Sequence, residues 1–240
     1  MKHLNLSLLL IVFLFVGVQS GLPQTNPVTD IDGNEYQTIQ IGDQIWMAEN
    51  LKVTHYRDGT AITNVTDNEA WAALTSGAYC IYNNNASNEV DTHGALYNWY
   101  AATDSRNIAP EGWHVPTDAE WKELEMTLGM SQSEADAMSW RGTNEGSKLA
   151  GNAALWASGD LENNSEFGSS GFTALPGGGR DYGSGNFYGN DAAFFWSATG
   201  YDSSSAWSRV LEPIHSNIYR ARTTGNKQHG CAIRCLKGEP

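Results

Sequence analysis

The chain has 240 residues, with 14 Lys and Arg against 27 Asp and Glu, for a formal net charge of -13. Its 40% apolar content includes nine Trp, ten Tyr and seven Phe, too many for a disordered chain, while aperiodic Gly and only 17% charged residues exclude collagen and coiled coils. The acidic balance argues against a nucleic-acid binder, which needs a Lys/Arg patch for phosphates.

The first predicted element is a targeting segment. Lys2 precedes an apolar run from Leu8 to Val18, and Val18 and Ser20 put small residues where a signal peptidase cuts. The run is shorter than the ~20 residues that span a bilayer. Residues 1–20 therefore read as a cleaved signal peptide, and the mature protein as exported, with no membrane span. No Cys follows the run, which disfavours a lipid anchor. Loss of Lys2 leaves the mature chain one unit more acidic.

Residues 21–27 read as a linker, and 28–237 as one domain. From Val28, Asp32-Gly33-Asn34 and Gly42-Asp43 mark turns between strands at 28–30, 36–41 and 44–48. Thr66-x-x-Glu69 predicts a capped helix before Trp71, and 94–102 a second helix. Thr117 and Glu120 form a capping box ahead of the stripe Trp121, Leu124 and Leu128, which Gly129 ends. Ser131-x-x-Glu134 opens another short helix toward Trp140. From 142 to 195 the chain is rich in Gly, Asn and Ser, with isolated aromatics that each need packing, so it reads as long ordered loops. Strands at 194–197, 206–211 and 232–236 close the chain.

Cys80, Cys231 and Cys235 are the cysteines. Four residues along a strand cover about 13 Å, beyond the ~7 Å reach of a disulfide. An exported protein permits a bridge, and Cys80–Cys235 is the expected pair.

Several stretches together resemble a family. They are 28–36 (VTDIDGNEY), 41–51 (IGDQIWMAENL), 94–100 (GALYNWY), 110–121 (PEGWHVPTDAEW), 171–177 (GFTALPG), 195–199 (FWSAT) and 232–236 (AIRCL). This pattern resembles the Fibrobacter succinogenes major paralogous domain family of secreted bacterial proteins, over about 28–237. The resemblance carries no particular activity. More distantly, 115–121 and the Ile-Arg-Cys of 233–235 are similar to the formylglycine-generating enzymes, whose fold is C-type-lectin-like. That similarity implies an α+β fold with short helices, small antiparallel sheets, long ordered loops and termini brought together in one sheet. Those enzymes flank a Tyr-Arg-x-Arg segment with two cysteines; here Ile218 and Thr223 stand at the thiol positions, so the copper and thiol chemistry is not carried over.

Catalytic and metal motifs are weak. Asp30-x-Asp32-Gly33-Asn34 opens like a calcium loop, but Ile41 occupies the position of the bidentate Glu, so a hairpin turn is expected. The acidic loops 83–91 and 158–166 leave calcium possible without a specific motif, and no other metal or cofactor is expected. His114 reads as a satisfied half-buried residue, and the other histidines lack ligand spacing. Aromatic faces stack on sugars, so Trp156, Tyr182, Tyr188, Tyr201 and Trp207 form the speculative ligand set, while Trp46, Trp99, Trp113, Trp121 and Trp196 read as core. The expected function is a secreted, non-enzymatic or surface-associated module that recognises a glycan or a cell-surface protein. The alternative is an exported enzyme acting on polysaccharide.

Overall fold

A computed structural model of the chain describes residues 24–85, 89–222 and 227–238. The expected signal peptide lies outside these residues, as does the start of the expected linker. The rest of that linker is a strand: β1 (Gln24–Thr29) pairs antiparallel with β2 (Glu35–Ile41), which pairs in turn with β3 (Gln44–Met47). Asp30 builds the first turn. Its carboxylate accepts from the Asp32 and Asn34 backbone N–H groups at 2.9 Å, from Asn34 Nδ2 and from the Tyr36 hydroxyl at 2.6 Å. Gly33 supplies the left-handed φ of 85°. The hairpin reading of this segment holds, with every Asp30 lone pair turned inward.

The chain continues through β4 (Thr63–Asn64), α1 (Asn68–Ala72), β5 (Ala78–Cys80), α2 (Glu89–His93), β6 (Leu96–Tyr97) and α3 (Trp99–Ala102). Two expectations shift here. The cap of α1 is Asp67 and not Thr66, its side chain accepting from Ala70 N. The helix expected over 94–102 breaks at Asn98, whose amide oxygen accepts from both Ala78 N and Ala101 N at 3.0 Å. That cap can only start a helix after it, so Leu96 and Tyr97 are left to pair as a strand.

Next come β7 (Trp113–His114), α4 (Asp118–Thr127), α5 (Gln132–Asp136), β8 (Ser139–Arg141) and α6 (Glu145–Leu149). Both predicted capping boxes, at Thr117/Glu120 and Ser131/Glu134, are present with reciprocal hydrogen bonds. The chain ends through β9 (Gly179–Arg180), β10 (Phe187–Tyr188), β11 (Ala193–Gly200), β12 (Ala206–Leu211), β13 (Ile218–Arg222) and β14 (Leu236–Lys237). Strand β13 was not expected.

The sheets are mostly antiparallel and the fold is α+β. The largest sheet has the order β1-β2-β3-β14-β7, so the last strand sits inside a sheet built by the first ones. A second sheet runs β11-β12-β13-β8. Trp46, Trp121, Phe172 and Phe195 pack as an aromatic cluster with centroid separations of 5.0 to 6.0 Å. Among the described residues no helix is long and apolar enough to cross a membrane.

The segment 231–236 divides two cores. Cys231, Ile233 and Cys235 point into one cluster with Tyr36, Tyr97 and Trp196, while Ala232 and Leu236 point into the other with Trp121 and Phe195. It is extended, as expected, but its hydrogen bonds go to several partners: Tyr97, Leu51, Met47 and Trp196. The expected Cys80–Cys235 bridge is not formed. All three thiols are buried and free, and Cys80 belongs to a separate small cluster around Trp71 and Leu96.

Candidate functional site

Directly paired residues in antiparallel strands share a face of the sheet. In the second sheet Phe194 pairs with Val210, Val210 with Tyr219, and Tyr219 with Trp140. These four therefore form one cross-strand row. The next row, Phe195, Arg209, Arg220 and Ser139, faces the opposite way. That inner face packs against α4 and is neutralised by it. Asp118 accepts from Arg209 at 2.9 Å and from Arg220 at 2.6 Å; Glu125 accepts from Arg209 at 2.5 Å and from Arg141 at 2.8 Å. Burial would raise the Asp118 carboxyl, but Arg220 and Arg209 outweigh it and hold the group below the usual carboxylate range.

The outer row is the floor of a cleft of about 650 Å³, a size suited to a small ligand. Trp140 and Tyr219 meet edge to face at 5.0 Å, and Tyr188 packs on Phe194 at 5.0 Å. His215 stacks on Trp140 at 3.8 Å. Gly189 lets the chain pass over the Phe194 ring, since a Cβ there would lie 2.8 Å from it. The connection after β12 contributes Glu212, Pro213 and Ile214, and the turn before β11 contributes Asp191. Burial pushes the Tyr188 phenol upward, so it remains a neutral hydrogen-bonding group.

The five aromatics expected to bind ligand do not share one site. Tyr188 lines the cleft. Tyr182 lies edge-on to His229 at 5.0 Å, in a second depression that Tyr188 and Asp181 also line. There burial raises Asp181, but hydrogen bonds from Ser184 and Gly183 outweigh it and keep the group low. Tyr201 and Trp207 pack together elsewhere, perpendicular at 5.0 Å, with the Arg220 guanidinium 3.6 Å over Trp207. Trp156 is a core residue, buried, with its indole N–H donating to Gly151 O.

Sequence reasoning missed Trp140, Phe194 and Tyr219. The signal was the alternation of Ile218-Tyr-Arg-Ala-Arg222, which reads as a strand with Tyr219 and Ala221 on one face. His114 is satisfied as expected: Nε2 lies 2.8 Å from Glu120 and Nδ1 2.8 Å from Gly238 O. Trp46, Trp113, Trp121 and Trp196 are buried as expected, and Trp99 is half-buried. Among the described residues no three His, Cys, Asp or Glu side chains converge to hold a metal ion; part of the 83–91 loop lies outside those residues.

The fold and cleft define an α+β domain with an aromatic-floored groove on one sheet face. Residues 39–237 match the model of the Fibrobacter succinogenes major domain, and the chain belongs to that family. No curated protein and no solved structure matches it.

Proposed function

We propose that this protein is an exported, non-enzymatic binding module of C-type-lectin-like fold that holds a glycan in the cleft of the second sheet. The observation that carries this reading is the row Phe194, Val210, Tyr219 and Trp140, left open on one face of a sheet whose other face is packed. Aromatic faces stack against the C–H faces of sugar rings, and Asp191, Glu212 and Ser158 offer polar atoms for hydroxyls. The lectin-like reading is supported by short helices, long ordered loops and a first and last strand in one sheet. Export rests on the signal-like segment at 1–20.

Calorimetry against an oligosaccharide panel, with and without calcium, tests it. Wild type is expected to bind at least one oligosaccharide, and Trp140→Ala to weaken it more than about tenfold, the weight of one stacked ring at about 1.4 kcal/mol. Binding that Trp140→Ala and Tyr219→Ala leave intact would move the site elsewhere. Asp191 and Glu212 in the same cleft favour a second reading, cleavage of polysaccharide. New reducing ends that disappear in Glu212→Gln would establish it.

A further inference from the structure

We infer that the cleft selects sugars bearing a free amine, an inference that rests on the glycan reading of the same site. Among the described residues, those that line the cleft include Asp191 and Glu212 and no Lys, Arg or His. Neither carboxylate has a hydrogen-bonded or ionic side-chain partner among the described residues, whereas Asp32, Asp104, Asp118, Glu125 and Asp136 are all paired. Two unpaired carboxylates lie with Trp140, Tyr188, Phe194 and Tyr219, rings whose negative faces attract cations.

Elsewhere the chain supplies that cation itself. Arg106 lies 3.9 Å from the Tyr56 ring centre, Lys227 4.4 Å from Trp99, and Arg220 3.6 Å from Trp207. In the cleft the aromatic faces and the negative charge are present without a Lys or Arg among the described residues, the His215 ring stacking on Trp140 alone. A protonated amino sugar matches all three features: its ring stacks, its hydroxyls hydrogen-bond, and its ammonium sits between carboxylate and ring. An oligouronate would meet two like charges in a chain already at -13.

The experiment titrates the full-length protein with glucosamine oligomers, their N-acetylated counterparts and oligogalacturonate, at low and high salt. Glucosamine oligomers are expected to bind at least about tenfold tighter than the acetylated ones, equivalent to about 1.4 kcal/mol. Salt is expected to narrow that gap by screening. The double variant Asp191→Asn with Glu212→Gln changes cleft residues that are not buried, so it should fold and bind the two glucosamine series alike at low and high salt, the preference being lost whatever happens to the affinity for each. Equal affinity for the two oligomers, binding of the oligouronate, or a preference that survives in the double variant overturns the inference. Loss of acetylated-oligomer binding in Trp140→Ala then shows that the glycan reading still stands. If none of these oligomers binds, this inference falls, while binding of a different member of the oligosaccharide panel would keep the glycan reading.

Discussion

Arg234 is a buried cation that, among the described residues, hydrogen-bonds to no carboxylate, although the Glu49 charge favours its charged form. Its Nε donates to Asn50 Oδ1 at 2.6 Å, and its two amino groups donate to the carbonyls of Met47, Phe172 and Thr173. The guanidinium lies 4.7 Å from the Phe172 ring centre and 5.8 Å from that of Phe195. Burial pulls its pKa down to about 9. The planar fork ties the chain after β3 to the loop at 172–173. Arg180 does the same between 65–68 and 185, and it also stacks on Trp71. A lysine carries the charge on a single nitrogen with three donors and lacks the planar fork that here serves four acceptors. Arg234→Lys is therefore expected to cost on the order of 3 kcal/mol, since each buried acceptor left unmatched costs about 1–3 kcal/mol. Urea unfolding of the two proteins measures it; a loss below about 1 kcal/mol would mean that water replaces the fork.

Helix α4 shows which interactions are readable from sequence and which are not. Its start was legible because the capping box spans three residues, and its Trp121 stripe because the period is local. The arginines it neutralises were not legible. Asp118 meets Arg209 and Arg220 from 91 and 102 residues away, across a sheet whose third strand had not been recognised. Removing one acid while its partners remain buried is costly: Asp118→Asn leaves Arg209 and Arg220 underpaired, at about 3–5 kcal/mol. The pH dependence follows from the lowered Asp118 carboxyl. A carboxyl whose folded pKa lies below its unfolded one adds stability above the unfolded value, and that stability is lost as pH falls through the folded one. Glu120 is lowered too, by His114 and Thr117 against the opposing effect of burial, and acts with the same sign. Wild type is thus expected to lose stability as pH falls below the ordinary carboxylate range. Asp118→Asn should start less stable and lose less over that interval. Parallel acid limbs in urea-midpoint-against-pH curves would show that the network does not carry the acid dependence.

At the scale of the whole molecule, the segment 231–236 is the wall between the two large cores, and its alternation was visible in the sequence as a strand. Which cluster each cysteine would enter was not visible, because that depends on partners such as Tyr97 and Met47 that lie far along the chain. The bridge expected from spacing fails for that reason: Cys235 faces the Tyr36 and Trp196 cluster, and Cys80 the Trp71 cluster. Burial pushes the Cys80 thiol up to about 12, against the opposing pull of Arg180, and burial also raises Cys231 and Cys235. A buried thiol that is not ionised reacts only when the structure opens around it. Cys231 and Cys235 sit where opening means separating the two cores, so their labelling should track global unfolding and not local fraying. In protein prepared under oxidising conditions, no thiol is expected to react with a thiol reagent in native buffer, and all three should react in denaturant. A reducing agent should leave the unfolding midpoint unchanged. Recovery of a single reactive thiol after denaturation without reductant would mean that two of the cysteines are bridged, and that the two cores and the Trp71 cluster are arranged differently around this segment.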